Sequence, residues 1–220
     1  MQLFVLAKTI QEAKTRLAGL LAPGERAALA EAMLADVLLA AALTPELGRI
    51  TVLSSGRCVE DIARRHGAAL MIQAGAGGLN DAARQALDQA RSIGDEPIMI
   101  LPADLPWIRA DDISALLQAW RPGMAIASPS IDGGTNALAL DAGLRWRFRY
   151  GPDSFAAHAA VAQAEAIRFQ PVRRENLACD LDDVEMLRRM MTAANHSRPG
   201  PHTRAVLDSL RNTTLGRRYA

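Results

Sequence analysis

Short apolar runs alternate with longer amphipathic stretches along most of the chain. The run 98–101 is apolar throughout, whereas the longer stretches repeat their apolar residues at helical spacing. The pattern predicts strands at 3–6, 50–53, 68–72, 97–101, 124–128, 137–140 and 167–171, and helices at 23–43, 59–66, 81–91, 110–119, 154–164 and 184–191. Such alternation predicts an α/β fold with helices on both faces of a mostly parallel sheet.

The composition agrees with one globular domain. The chain has 220 residues, of which 50% are hydrophobic and 22% charged, and its formal net charge is +1. Near neutrality gives no global field for nucleic acid or an anionic membrane. No uncharged apolar run reaches the roughly 18 residues of a membrane span, and two cysteines do not make a disulfide framework. We therefore expect a cytoplasmic protein with no nucleic-acid or membrane partner.

The segment 192–220 departs from the pattern of the predicted domain 1–191. Residues 196–202 combine glycine and two prolines with polar residues, which indicates a linker. Beyond it, 204–219 is compatible with one short basic helix. We interpret this segment as a solvated or subunit-docking tail rather than as a binding element.

Asp104 follows directly on the apolar run 98–101. In open α/β sheets, ligands bind outside the carboxyl ends of the strands, and the prolines on either side of Asp104 restrict its loop. A carboxylate in that place suits a hard divalent cation such as Mg²⁺. The alternative is a cap for the next helix, a role that Asp111 and Asp112 are better placed to fill.

A second acidic site lies near the end of the predicted domain. On an extended segment, alternation places Asp180 and Asp182 on one face, so that either of them could complete a metal site with Asp104. Asp183 is placed to cap the helix that follows. The spacing alone does not choose between the two aspartates, and acidic loops before helices are frequent.

Lysine is scarce and its placement is unusual. Of the 25 basic residues only Lys8 and Lys14 are lysines, and both follow the first strand. An arginine-rich composition explains the scarcity but not the placement. A compact ammonium suits a phosphate in a tight pocket, so a phosphate-binding role for these lysines is a hypothesis.

Two polar stretches border the predicted strand 137–140 and helix 154–164. Thr135, Gly151 and Ser154 lie where helix N-termini and tight turns bind anions, so they could cradle an anionic substrate group. His158, one turn after Ser154, is interpreted as a packed or hydrogen-bonding histidine rather than as a general base. The glycine-rich loop 75–80 lacks the ending of a P-loop.

Taken in order, these motifs resemble the CofC and FbiD guanylyltransferases of coenzyme F420 biosynthesis. The matching stretches are A-K-T-R-L-A at 13–18, G-L-N at 78–80, L-P-A-D-L-P at 101–106, G-T-N-A-L at 134–138, Y-G-P-D-S-F-A-A-H at 150–158 and D-L-D at 180–182. The resemblance covers residues 2–191. It implies a three-layer, GT-A-like nucleotidyltransferase fold with a mostly parallel central sheet.

The resemblance also implies an activity. GMP would pass from GTP to phosphoenolpyruvate, 2-phospho-L-lactate or 3-phospho-D-glycerate, with Mg²⁺ as cofactor and pyrophosphate as second product. By motif position, Lys14, Asp104 and Asp182 would be catalytic, and Mg²⁺ would be held by Asp104 with Asp180 or Asp182. The acceptor would be bound by Thr135, Gly151 and Ser154, and the nucleotide by Lys8, Lys14, Arg16, Gly78 and Asn80. A homodimer is compatible with the family, and the sequence neither supports nor excludes it.

The chain departs from the family pattern in three places. Ala7 replaces a proline, the acidic residue after D-L-D is displaced, and the segment before G-T-N is one residue shorter. The last change borders the acceptor pocket and leaves the acceptor open.

Three rival interpretations are weaker. A glycosyltransferase D-x-D motif normally lies mid-chain, whereas D-L-D is near the end here. Molybdenum-cofactor guanylyltransferases begin with a glycine-rich signature that this N-terminus lacks. The third rival is a nucleotide-binding protein that has lost turnover, and the retained aspartates and lysines argue against it.

Overall fold

A computed structural model describes residues 1–7, 14–75, 77–192 and 198–212 of the chain. Its strands are β1 (Gln2–Ala7), β2 (Ile50–Ser54), β3 (Ala69–Ile72), β4 (Ile98–Pro102), β5 (Met124–Pro129), β6 (Thr135–Leu140) and β7 (Arg168–Pro171). Its α-helices are α1 (Pro23–Ala42), α2 (Glu60–Arg65), α3 (Leu79–Ser92), α4 (Ala110–Ala119), α5 (Ser154–Ala164), α6 (Val184–Thr192) and α7 (Pro201–Leu210). Short 3₁₀ turns occur at Thr15–Leu17, Arg57–Val59 and Glu175–Leu177.

The strands form one seven-stranded sheet in the order β3-β2-β1-β4-β6-β5-β7. Strands β1 to β4 pair in parallel, as do β5 and β7, while β6 runs antiparallel to both β4 and β5. The mostly parallel sheet is therefore confirmed. Strand β6 is the exception because the short turn after β5 has no room for a crossover helix, and such a turn joins antiparallel strands.

The two faces of the sheet are covered by different helices, which confirms the three-layer architecture. In β1, Leu3 and Val5 pack with α1, α2 and α4 on one face, whereas Phe4 and Leu6 pack with α3 and α5 on the other. Alternate side chains of a strand point to opposite faces, so a strand buried on both sides must be apolar throughout. Within the described ranges, no helix is long and apolar enough to cross a membrane.

A third apolar cluster lies beside the sheet and contains the C-terminal helix. It consists of Leu17, Leu21, Leu29, Met33, Leu181, Leu187, Met190, Leu207 and Leu210. Helix α7 contributes two of these leucines and packs against α1. The interpretation of this region as a solvated tail was therefore wrong for 201–210, and subunit docking stays a prediction. The helix begins at Pro201, earlier than the sequence suggested, since the proline ring suits the first helical turn.

A buried carboxylate from α1 holds the start of α7. Asp36 is 2% exposed, and its two oxygens accept the backbone N–H groups of His202 (3.0 Å) and Thr203 (2.8 Å). These groups have no partner within their own helix, so Asp36 acts as the cap from another helix. Gly200 lies against the same carboxylate, and a Cβ there would overlap it.

We predict that Asp36→Ala loosens α7 from α1. Loss of both bonds leaves one buried and one partly buried donor unpaired, which costs about 1–3 kcal/mol. Each kcal/mol corresponds to roughly 2–4 °C in melting temperature. Urea denaturation measures the change. Asp88→Ala on the exposed side of α3 is the control and should change the midpoint little. An unchanged midpoint for Asp36→Ala would contradict the capping role.

Candidate active site

A cleft of about 460 Å³ opens at the carboxyl ends of β1 and β4. Its lining includes Leu6 and Ala7 at the end of β1, Pro102 at the end of β4, Asp104 just after it, and Thr135 at the start of the antiparallel β6. These two parallel strands are neighbours, so the residues that follow them meet at one edge of the sheet. This is the edge at which open α/β sheets bind ligands.

The structure brings both late aspartates to Asp104. Leu181 is fully buried in the third cluster, and its N–H donates to the backbone oxygen of Asp104 at 3.4 Å. Because neighbouring side chains of an extended segment point in opposite directions, Asp180 and Asp182 face the cleft instead. One carboxylate oxygen of each of the three aspartates lies within 4.8 Å of the others.

Lys14 enters this carboxylate group from the loop after β1. Its Nζ lies 2.6 Å from Asp104 Oδ2 and 3.2 Å from Asp182 Oδ1, and its side chain is only 6% exposed. The backbone of Lys14 is left-handed, with φ of 57°, where it starts the 3₁₀ turn that buries Leu17. The buried leucine thus fixes the turn, and the turn directs the ammonium to the aspartates.

The other predicted cations differ in position. Arg16 is exposed on the same turn, with Nη1 3.8 Å from Asp182 Oδ2, and it lines the cleft. Its guanidinium is therefore free to contact a ligand. Lys8 lies outside the described residues.

Charge and burial together shift two pKa values in this group. Burial raises the pKa of Asp180 to about 6, and repulsion from Asp104 and Asp182 adds to the effect. For Lys14, burial acts to lower the pKa, but attraction and hydrogen bonding to Asp104, then Asp182, outweigh it and leave the pKa raised. Lys14 therefore stays charged, and one ammonium faces an excess of negative charge.

The donor set of the group fits a hard divalent cation. Mg²⁺ is typically bound in proteins by one or two carboxylates together with phosphate oxygens and water. Asp104, Asp180 and Asp182 offer carboxylate oxygens from two segments, and Asp182 is open to solvent on one side. Burial and, after it, repulsion from Asp104 and Asp182 raise the pKa of Asp180, and a bound cation would relieve that repulsion.

The predicted acceptor residues are joined by hydrogen bonds, but of the three only Thr135 lines the cleft. Thr135 lines the cleft, and Ser154, the first residue of α5, has its Oγ 3.2 Å from Thr135 Oγ1. Gly151 has φ of 140°, a conformation that favours glycine, and its carbonyl accepts the N–H of Ser154 at 3.2 Å. His158 is fully buried and bonded, as its interpretation as a packed histidine expected.

The predicted nucleotide-binding residues Gly78 and Asn80 differ in their surroundings. Gly78 precedes the first turn of α3, and Leu79 reaches the cleft. Both ends of the Asn80 amide, by contrast, are bonded to the backbone of Tyr150: Nδ2 donates to its oxygen at 2.9 Å, and Oδ1 accepts its N–H at 2.7 Å. Asn80 therefore ties the first turn of α3 to Tyr150, the residue before the G-P-D-S stretch, and its contact with a nucleotide stays a prediction.

Tyr150 and Asn136 also line the cleft, although the sequence motifs indicated no role for them. Tyr150 precedes the G-P-D-S stretch and lines the cleft, and burial raises the pKa of its phenol above the usual range. Asn136 is buried, and its Nδ2 donates to the oxygen of Leu177 at 2.8 Å. It thereby anchors the segment leading to Asp180. Both residues stand inside quoted motifs, which is the signal that could have indicated them.

Comparison of the chain with known proteins shows the family to which it belongs. A model of the family described as guanylyl transferase CofC like matches residues 1–214. The chain belongs to this family. A phosphoenolpyruvate guanylyltransferase of Roseiflexus sp. (strain RS-1) is 42% identical over 188 residues, covering 83% of this chain and 81% of that protein. A 3-phospho-D-glycerate guanylyltransferase of Phenylobacterium zucineum (strain HLK1) is 38% identical, covering 79% and 81%.

The solved structures confirm the predicted fold class. A provisionally named nucleotide-diphospho-sugar transferase from Desulfovibrio desulfuricans G20 superposes with a TM-score of 0.74, covering 100% of this chain and 99% of the other. The two sequences are only 18% identical, so this likeness concerns the fold alone.

We predict that divalent-cation binding weakens as the pH falls through about 6. Asp180 has a pKa of about 6, so it is ionised at pH 7.5 and about nine-tenths protonated at pH 5, and a protonated carboxyl is a poor ligand. The affinity for Mn²⁺, measured by electron paramagnetic resonance, should be about tenfold lower at pH 5. Asp180→Asn should remove most of this dependence. Binding that is equally tight at both pH values would contradict the assignment.

We also predict that Lys14→Met tightens Mn²⁺ binding to the nucleotide-free protein. A unit charge at about 4 Å is worth about 1 kcal/mol even in water, so removing the ammonium should raise the affinity roughly fivefold or more. Isothermal titration measures the effect. Arg16→Met, which removes a more distant and exposed cation, is the matched control and should give a smaller change. Equal or weaker binding by Lys14→Met would show that the ammonium does not oppose the cation.

Proposed function

We propose that the protein transfers GMP from GTP to a small phosphorylated carboxylic acid and releases pyrophosphate, as a step of coenzyme F420 biosynthesis. Phosphoenolpyruvate, 2-phospho-L-lactate and 3-phospho-D-glycerate are the candidate acceptors. The observation that carries the proposal is the meeting of Lys14 with three aspartates at the strand ends of a CofC-like chain. The names of the two relatives quoted above support phosphoenolpyruvate and 3-phospho-D-glycerate.

The nucleotide would lie over the turn after β1 and the start of α3. Lys14 and Arg16 would face the triphosphate, because both cations border the carboxylate group where a nucleotide-bound cation would sit. Gly78 leaves space beside the chain, since a Cβ built on it meets no atom within 4 Å. Lys8 and Asn80 belong to the same proposal by their motif positions, as does guanine as the preferred base.

Asp104, Asp180 and Asp182 would hold Mg²⁺. The ion would neutralise negative charge on the triphosphate and on the leaving pyrophosphate. The part of Lys14 follows from its contacts: with the cation bound, its ammonium no longer has to neutralise Asp104 and Asp182 and can donate to phosphate oxygens.

The reaction does not require a covalent intermediate with a protein side chain. An oxygen of the acceptor's phosphate forms a bond to the α-phosphorus of GTP, while the bond from that phosphorus to the pyrophosphate oxygen breaks. The attacking phosphate is already ionised near neutral pH, so no side chain has to remove a proton. Catalysis then rests on alignment and on neutralised charge. Thr135, Gly151 and Ser154 would align the acceptor on the β6 side of the cleft.

Pyrophosphate release by the purified protein tests the proposal. With GTP and Mg²⁺, we expect turnover in the presence of one of the three acids, and phosphoenolpyruvate is the first to try. ATP, CTP and UTP in place of GTP test the base. A protein that binds GTP yet releases no pyrophosphate with any of the three acids would contradict the proposal.

Asp104→Asn tests the site within that assay. Because an amide supplies no negative charge to the cation, we expect turnover to fall at least about a hundredfold, while circular dichroism shows an intact fold. Asp111→Asn, an exposed aspartate at the start of α4, is the control and should keep the original rate. Near-original activity of Asp104→Asn would rule out the proposed metal site. Cytoplasmic location stays a prediction of the sequence, and a homodimer stays a possibility that the family suggests.

A further inference from the structure

A line of hydrogen bonds leads from the backbone through His158 to the cleft. The N–H of Arg149 donates to His158 Nε2 at 3.0 Å. On the other side of the ring, Nδ1 lies 3.1 Å from Thr135 Oγ1, and Thr135 Oγ1 lies 3.2 Å from Ser154 Oγ. All three side chains are buried, and Thr135 also borders the cleft.

The backbone end of this line fixes the tautomer of the histidine. A backbone N–H can only donate, so Nε2 must present its lone pair to Arg149. Burial lowers the pKa of His158 to about 4, and the charge of Arg149 adds to the effect, so the ring is neutral near pH 7. A neutral imidazole carries one N–H. Its hydrogen must therefore be on Nδ1, where it is donated to Thr135 Oγ1.

Because Nδ1 donates to Thr135 Oγ1, the tautomer determines which hydroxyl hydrogen of Thr135 and Ser154 has no acceptor. Thr135 and Ser154 have one hydroxyl hydrogen each, and Ser154 Oγ donates its hydrogen to Thr135 Oγ1. The other has no acceptor within hydrogen-bond distance among the described residues. The spare hydrogen is that of Thr135, which lines the cleft, so the cleft is offered a donor, and a donor suits an anionic oxygen.

Two aromatic rings hold the imidazole in this orientation. Trp146 stacks on His158 with ring centroids 5.9 Å apart, and Tyr150 meets it edge-on at 4.9 Å. A ring flip would exchange Nδ1 with Cδ2 and Nε2 with Cε1, so it would leave the Arg149 N–H facing a C–H and would remove the contact with Thr135 Oγ1.

We propose that His158 is a positioning residue: as the Nδ1–H tautomer it orients the Thr135 and Ser154 hydroxyls so that one of them donates to an anionic group of the acceptor. This inference rests on the proposed function for the identity of the acceptor. The tautomer itself does not depend on any activity. His158 touches no reacting atom in this account and acts through Thr135.

The tautomer is measured directly on the full chain. Long-range proton–nitrogen correlation spectra of ¹⁵N-labelled protein distinguish the two neutral forms and the imidazolium, and the signal missing in His158→Phe belongs to His158. We expect the Nδ1–H form throughout pH 6–8. An Nε2–H form or an imidazolium in that range would overturn the proposal.

The link to the acceptor is measured by a double-mutant cycle. His158→Phe keeps a ring in the site but removes both nitrogens, and Thr135→Val removes the hydroxyl with little change in shape. Each should raise the KM for phosphoenolpyruvate roughly 10- to 100-fold and leave the KM for GTP unchanged. The double variant should resemble Thr135→Val within about twofold, because His158 acts through that hydroxyl. Effects that multiply would overturn the proposal and leave His158 a packing residue.

The controls separate the possible failures. Thr135→Ser keeps a hydroxyl and should retain most of the affinity, whereas His202→Phe changes an exposed histidine on α7 and should change neither KM. If His158→Phe does not fold, the tautomer of His158 in the wild-type protein still accepts or rejects the proposal. If the wild type shows no turnover with any of the three acids, the proposed function fails, and the spectrum still accepts or rejects the tautomer.

Discussion

The charge balance between Lys14 and three aspartates is the constraint on which the cleft depends. Three carboxylates at the edge of a sheet repel one another, and burial together with this repulsion raises the pKa of Asp180. The nearly buried ammonium of Lys14 neutralises part of the charge and keeps the two acidic segments together without another ligand. A group held in this way still carries excess negative charge, which a divalent cation can relieve.

Apolar packing decides where this polar group is placed. Leu17 fixes the turn that bears Lys14, and Leu181 fixes the segment that bears Asp180 and Asp182. Both leucines belong to the third cluster. Leu207 and Leu210 of α7 complete this cluster, and Asp36 holds the start of α7 against α1. Helix α7 thus packs in the same cluster as the two leucines that position Lys14 and the late aspartates.

The fold was predictable because its signals are local. Apolar runs and helical periodicity located every strand and helix of the main domain to within a few residues, and the position of Asp104 after β4 followed from the rule for strand ends. The partners of the polar residues were not predictable, since they depend on contacts distant in sequence. Asp112 was assigned only a capping role, yet it also pairs with Arg174 at 2.8 Å.

The same limit applies to Asn80 and to the tail. Nothing in the G-L-N stretch shows that the Asn80 amide would pair with the backbone of Tyr150, 70 residues away. The sequence predicted a linker at 196–202, of which 196 and 197 lie outside the described residues, and it did not predict that α7 would begin at Pro201 and be buried. Burial of α7 depends on an acceptor in α1, and Asp36 appears in the sequence as one charge on an amphipathic helix.

The central claim is that Asp104, Asp180 and Asp182 form the cation site of a GTP-dependent enzyme. Anomalous scattering from Mn²⁺ in crystals grown with GTP tests it most directly. The account predicts a manganese peak roughly 2.0–2.6 Å from oxygens of Asp104 and at least one of the other two aspartates, with Lys14 Nζ turned toward phosphate. A peak elsewhere, or bound GTP with no manganese at these carboxylates, would contradict it.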